Sequence, residues 1–98
     1  MNMQQMIIQA QKLQRELNKA QDELKKKEFT VEKGGAVRVV VMGDCTIKSI
    51  QIDKDAFEAE NKEMIEEMIA MAINEAVQTI ERESDAINQK MTGRPGMF

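Results

Sequence analysis

The chain has no histidine, no tryptophan and no tyrosine, and only one cysteine and one proline in 98 residues. Without an imidazole it lacks the usual general base of neutral-pH chemistry, and Cys45 has neither an activating partner nor a second thiol to pair with. Nothing calls for an oxidising compartment. Following the turn-like pair Gly43-Asp44, Cys45 reads as a small packed thiol at the start of a strand. Carboxylates are plentiful, but none falls in a metal-loop spacing, and Gly34-Gly35 is a bare pair rather than a phosphate loop. The expectation is a protein that is not an enzyme and has no metal, no cofactor and no small-molecule substrate. No apolar run approaches the roughly 18 residues of a membrane span, and no basic segment leads into an apolar signal core. A cytoplasmic setting with no membrane partner is expected.

What is present is periodicity. In the first stretch, apolar residues fall at Met3, Met6, Ala10, Leu13, Leu17, Ala20 and Leu24, steps that alternate between three and four as in a coiled-coil seam. The surrounding Gln, Lys, Glu and Leu are good helix formers, so residues 2 to about 27 are predicted as one helix. From Glu28 the period becomes two, in EFTVEK, AVRVVVM and CTIKSIQI, with Gly34-Gly35 and Gly43-Asp44 as tight-turn separators. These predict a three-stranded antiparallel meander. DKDAFEAEN reads as a turn or short helical piece, and Asn61 as the N-cap of a second long helix reaching about Met91, with a stripe from Ile65 to Ile87. The fold class is α+β in a single domain over residues 1–92, and residues 93–98 form a flexible C-terminal tail.

Two-residue turns would put Phe29, Val31, Val40, Met42, Cys45 and Ile47 on one sheet face and Val37, Val39, Val41, Ile50 and Ile52 on the other. The expectation is then a sheet apolar on both sides. The alternative is a bulge near Lys48 or Ser49, which returns Ile50 and Ile52 to the first face. A helix of about 26 residues is about 39 Å long, whereas a compact domain of this size has a radius of gyration of about 13 Å. The first helix should therefore project beyond the sheet, with the second helix antiparallel beside it. A second copy of the chain is the simplest cover for the remaining apolar face, so a homodimer with two helical arms is expected, with Val37, Val39, Val41, Ile50 and Ile52 at its interface.

Several segments together resemble the YbaB/EbfC family of bacterial nucleoid-associated proteins. They are MQQMIIQAQKLQRELNKAQDEL in the first helix, VRVVVMG in the second strand, IQID at Ile50–Asp53, EMIEEMIAMAINEA at Glu63–Ala76 and the closing RPGMF. The resemblance spans nearly the whole length and rests most on the run from IEEMI to Asn74-x-Ala76. It implies a small tweezer-like homodimer of helix, sheet and helix that binds double-stranded DNA without catalysis. Many relatives begin with a longer Gly- and Phe-containing leader, which this sequence does not show.

The formal net charge of −3 opposes DNA binding only if spread evenly. Residues 1–20 carry three bases against one acid, and residues 86–98 two bases and no acid, while residues 53–75 carry eight acids against two bases. Such a layout directs a polyanion to the arm tips and away from the root. The predicted DNA contacts are Lys12, Arg15 and Lys19 of helix one, a stripe opposite the seam, with Arg82, Lys90 and Arg94 of helix two and the tail. The glutamines of helix one can hydrogen-bond phosphates or bases without adding charge, and Asn74 reads as a polar pin between the helices. With Phe29, Phe57 and Phe98 the only aromatics, base stacking on single strands is disfavoured. A second reading is a prefoldin-like coiled-coil chaperone or scaffold that holds non-native chains on Met3, Met6, Ile7, Met91, Met97 and Phe98.

Overall fold

A computed structural model of the chain describes residues 2–92. Helix α1 (Met3–Lys25) leads into strands β1 (Glu28–Lys33), β2 (Val37–Met42) and β3 (Ile47–Ile52); a single 3-10 turn (Ala59–Asn61) then precedes helix α2 (Lys62–Thr92). The strands form one antiparallel sheet in the order β1-β2-β3. The domain expected over residues 1–92 falls on these elements except for Met1, and the tail at 93–98 lies outside the described residues.

Helix α1 starts where the Asn2 carboxamide accepts a 2.8 Å hydrogen bond from the amide of Gln5, filling one of the donors a helix N-terminus leaves unpaired. Asn61 does not act as the N-cap expected of it. Its side chain instead donates to the Ala56 carbonyl at 2.9 Å and locks the turn before α2.

The sheet is apolar on one face, not two. The first hairpin uses three loop residues: both glycines have positive φ (58° and 66°), and the amide of Ala36 closes the turn on the Lys33 carbonyl at 3.0 Å. Phe29 therefore faces Val41 and Val31 faces Val39, so residues assigned to opposite faces share one. In the second hairpin Val40 pairs with Ser49 but Val41 with Ile47, which leaves Lys48 as the extra residue of a bulge. The bulge alternative holds. Together the two parity changes put Phe29, Val31, Val37, Val39, Val41, Ile47, Ile50 and Ile52 on one face. Glu28, Thr30, Glu32, Arg38, Ser49 and Gln51 lie on the other, with half-buried Val40 and Met42 among them.

Helix α2 lies across β1 and β2 and buries Phe29, Val37, Val39 and Val41 under Ile65, Ala72, Ala76 and Ile80. Ala72 and Ala76 are fully buried, and their small side chains let the helix approach the sheet closely. Strand β3 is left at the margin, with Ile47 48% and Ile50 44% exposed. Cys45 is exposed too. It sits in the turn after β2 with φ of 69° and is not the packed thiol expected from its position.

At the junction of α1 and the sheet, Gly43 is buried and its amide donates to the Lys27 carbonyl at 2.8 Å. The chain passes so close to the end of α1 that a Cβ on Gly43 would lie 1.7 Å from the Leu24 carbonyl oxygen. The molecule is accordingly long, 69 × 25 × 14 Å with a radius of gyration of 19.4 Å.

Candidate nucleic-acid interface

The helices form an arm whose register is set by two contacts. The Gln21 carboxamide donates to Asn88 Oδ1 at 3.1 Å and to the Ser84 carbonyl at 3.3 Å, and it accepts from the Ser84 hydroxyl at 3.2 Å. At the arm's foot, Lys27 Nζ meets Glu83 at 2.9 Å and lies 5.3 Å from the centroid of the Phe29 ring. The expected pin, Asn74, is exposed and its side chain makes no hydrogen bond among the described residues. The polar clasp is Gln21 with Ser84 and Asn88, three residues that no heptad argument singles out because they flank the seam.

From the clasp, α2 continues only four residues to Thr92, whereas α1 continues eighteen to Met3. At 1.5 Å per residue, α1 thus runs on alone for about 20 Å beyond the described end of α2. The seam records this in its burial: Leu24 is buried, Ala20 and Leu17 are half-buried, and Leu13, Ala10, Met6 and Met3 are exposed.

Lys12, Arg15 and Lys19 lie along one side of this projecting helix, turned away from the seam. All three are exposed, and none has an ion-pair partner among the described residues. The arm register brings Lys90 level with Lys19 and places Arg82 at the foot, level with Lys27. Arg82 is exposed there and donates to Thr79 Oγ1 at 3.3 Å, so it stands apart from the α1 stripe. Arg94 lies outside the described residues.

The acids cluster at the other end. Glu60, Glu63, Glu66, Glu67 and Glu75 are exposed on the 3-10 turn and the part of α2 that lies near the sheet. Only Glu66 and Glu75 are paired, with Lys62 at 3.1 Å and Lys33 at 2.8 Å. In the turn after β2, the Thr46 hydroxyl and then its amide hydrogen-bond to Asp44 and hold that carboxyl below its ordinary value.

Of the residues expected at a dimer interface, Val37, Val39 and Val41 are already covered by α2 within one chain, at 2%, 0% and 0% exposure. Ile50 and the half-buried Ile52 retain surface, beside Ile47 and the 71% exposed Phe57. An apolar groove lined by Ile52, Phe57, Ile65 and Ile69 opens next to them. The described residues contain no group of three acidic, cysteine or histidine side chains placed to hold a metal, and no helix long and apolar enough to cross a membrane.

Residues 1–95 match the model of the YbaB/EbfC DNA-binding family. The chain is 39% identical over 102 residues to a nucleoid-associated protein of Clostridium novyi, covering 100% of this chain and 90% of that one. It is 40% identical over 97 residues to a nucleoid-associated protein of Enterococcus faecalis, covering 97% and 93%. Among solved structures, an uncharacterized protein from Helicobacter pylori superposes with a TM-score of 0.76 at 22% identity over 94% of this chain and 98% of that one, a likeness of fold.

Proposed function

This chain belongs to the YbaB/EbfC DNA-binding family, and on that premise we propose that it is a nucleoid-associated protein that grips duplex DNA as a homodimer, mainly through the phosphate backbone. The observation that carries this reading is the separation of charge along the arm. Unpaired Lys12, Arg15 and Lys19 line one side of α1, where Glu16 is the one acid among residues 1–20, while eight acids fall in residues 53–75 toward the opposite end; Glu81, Glu83 and Asp85 dilute the positive charge of the arm. Cations with no internal partner reach phosphates without breaking an ion pair, and the acidic root repels the duplex and orients it toward the arms. Lys90, level with Lys19, adds to the basic stretch of the arm, and Arg94 is a further candidate contact; Arg82 contributes only if the duplex reaches the foot of the arm.

The second copy packs against the margin of the sheet. Ile47, Ile50 and Phe57 form an apolar surface beside β3 that α2 leaves open, and dimerisation there removes it from water while both arms stay free. Ile50→Asp should lower the mass from dimer to monomer in sedimentation with the monomer still folded. A wild type that sediments as a monomer at micromolar concentration overturns the dimer.

DNA binding is tested by a gel shift over a salt series. At a slope of about −0.9 per neutralised phosphate, four to six contacts give a slope of about −4 to −5 in log affinity against log salt. Arg15→Gln with Lys19→Gln should make it shallower and weaken binding alike on unrelated duplexes. Unchanged affinity and slope would sink the backbone grip. Salt-insensitive capture of an unfolded polypeptide without DNA binding would favour the chaperone reading instead.

A further inference from the structure

The basic stripe does not end at Lys12. Continued toward the tip on the same side of α1, at helical spacing from Lys19 and Arg15, it runs through Gln11, Ile8 and Gln4. Residues 2–11 contain no charged side chain at all. Ile8 is 57% exposed, lies off the a/d seam and is explained by no packing among the described residues. Gln4 and Gln11 are exposed and make no side-chain hydrogen bond among the described residues. One face of one helix thus grades from unpaired cations at the middle to free amides around an apolar side chain at the end.

We infer that the free end of α1 enters the major groove of duplex DNA and reads A·T base pairs through Gln4, Ile8 and Gln11, while Lys12, Arg15 and Lys19 hold the flanking phosphates. The inference rests on duplex DNA being the partner proposed above. A helix with its side chains is about 10–12 Å across, matching a major groove about 12 Å wide and too large for a minor groove of about 6 Å. A helix pair would not fit. Over the final stretch of about 20 Å, α1 has no described α2 beside it and so presents a single helix. Each chemical class on the stripe has its counterpart in that groove. A glutamine carboxamide bonds bidentately to adenine N6 and N7, an aliphatic side chain packs on the thymine methyl, and lysine and arginine pair with phosphate oxygens. An uncharged tip also suits the groove floor, since acids there would repel the phosphates on both walls and extra cations would be drawn to the backbone instead.

The test compares affinities for two duplexes of equal length, one A·T-rich and one G·C-rich, measured by fluorescence anisotropy at the same salt. Wild type should bind the A·T-rich duplex about tenfold more tightly, near the lower end of what one good bidentate contact discriminates. The variant Gln4→Ala/Ile8→Ala/Gln11→Ala, built from alanine to preserve the helix, should bind both duplexes within about twofold and keep the wild-type salt slope. Because A·T tracts also narrow the minor groove, which attracts cations, the duplex is then altered only on its major-groove edge, with uracil for thymine or 7-deazaadenine for adenine. 7-deazaadenine should erase the preference, because it removes the N7 acceptor, and uracil should reduce it, because it removes the methyl that Ile8 packs on. A wild type that binds both natural duplexes equally, a preference that survives the triple variant, or indifference to both modified bases overturns groove reading and leaves the backbone grip standing. Failure of wild type to bind either duplex at low salt overturns both. A mass above the dimer without DNA that the triple variant abolishes assigns the tip to another copy of the chain and also overturns it.

Discussion

Gly43→Ala tests the joint from which the arm emerges. The added methyl would lie 1.7 Å from the Leu24 carbonyl oxygen, 2.6 Å from the Leu24 carbonyl carbon and 3.1 Å from the Lys25 Cα. All three are backbone atoms, so no side chain can turn aside to relieve the clash. The last turn of α1 or the end of β2 must shift. Overpacking a close contact costs about 1–3 kcal/mol, and moving the strand end strains the Gly43 amide bond to Lys27, worth about 1 kcal/mol. A loss of about 3 kcal/mol is a large share of the 5–15 kcal/mol typical of a domain, and at roughly 4–8 °C per kcal/mol it lowers the melting temperature by about 12–24 °C. Gly35→Ala is the control. Its φ is left-handed, at 66°, unlike that of Gly43, but its Cβ would meet nothing within 4 Å, so only the left-handed backbone penalty of about 1–2 kcal/mol applies. Both variants are melted at one fixed protein concentration, because association raises apparent stability. If Gly43→Ala melts within about 2 °C of wild type, or no lower than Gly35→Ala, the joint is not tight and the reasoning is wrong.

Val39 is fully buried, so Val39→Asp should cost several kcal/mol or abolish folding, and wild-type melting of that variant would refute the sheet assignment. Gln21→Ala removes three hydrogen bonds of the clasp, and amide hydrogen exchange of α1 around residues 17–24 should accelerate while the sheet amides stay protected; uniform protection would show that the clasp is dispensable. The Asp44 carboxyl is held below its ordinary value, so its support of the turn is complete above the unfolded carboxylate range and is lost as pH falls through its folded value. Thr46→Val should return its titration partway toward the ordinary range, as read by carboxyl NMR, and an unmoved titration would remove the Thr46 hydroxyl bond as the leading cause.

The helices were legible because each repeats its apolar spacing over many turns, and an error of a residue or two at an end changes no face. The sheet was less so. A strand's faces depend on the parity of its turn, and Ala36, an apolar residue next to Val37, looks like strand although it closes the Gly34-Gly35 turn. The Lys48 bulge adds a second parity change with no Gly or Pro to announce it. Each is one residue, yet together they turn a two-sided sheet into a one-sided one and move Val37, Val39 and Val41 beneath α2. In the arm, charge placement along α1 could be read from spacing alone. The isolation of Arg82 at the foot could not, since it depends on the stagger of the helices, which is fixed by Gln21 against Asn88.

The lone stretch of α1 is short as well as free. About fourteen residues of helix without a neighbour among the described residues sit near the length at which helix and coil balance in water. The balance there is tipped by local terms: the glutamines, methionines, Ala10 and Leu13 that favour helix, and the Asn2 bond to the Gln5 amide, a cap worth about 1 kcal/mol. Asn2→Ala should therefore shorten the reach of the arm while the sheet keeps its stability. Warming should unwind the tips well before the domain melts, making temperature itself a control on how far each molecule extends.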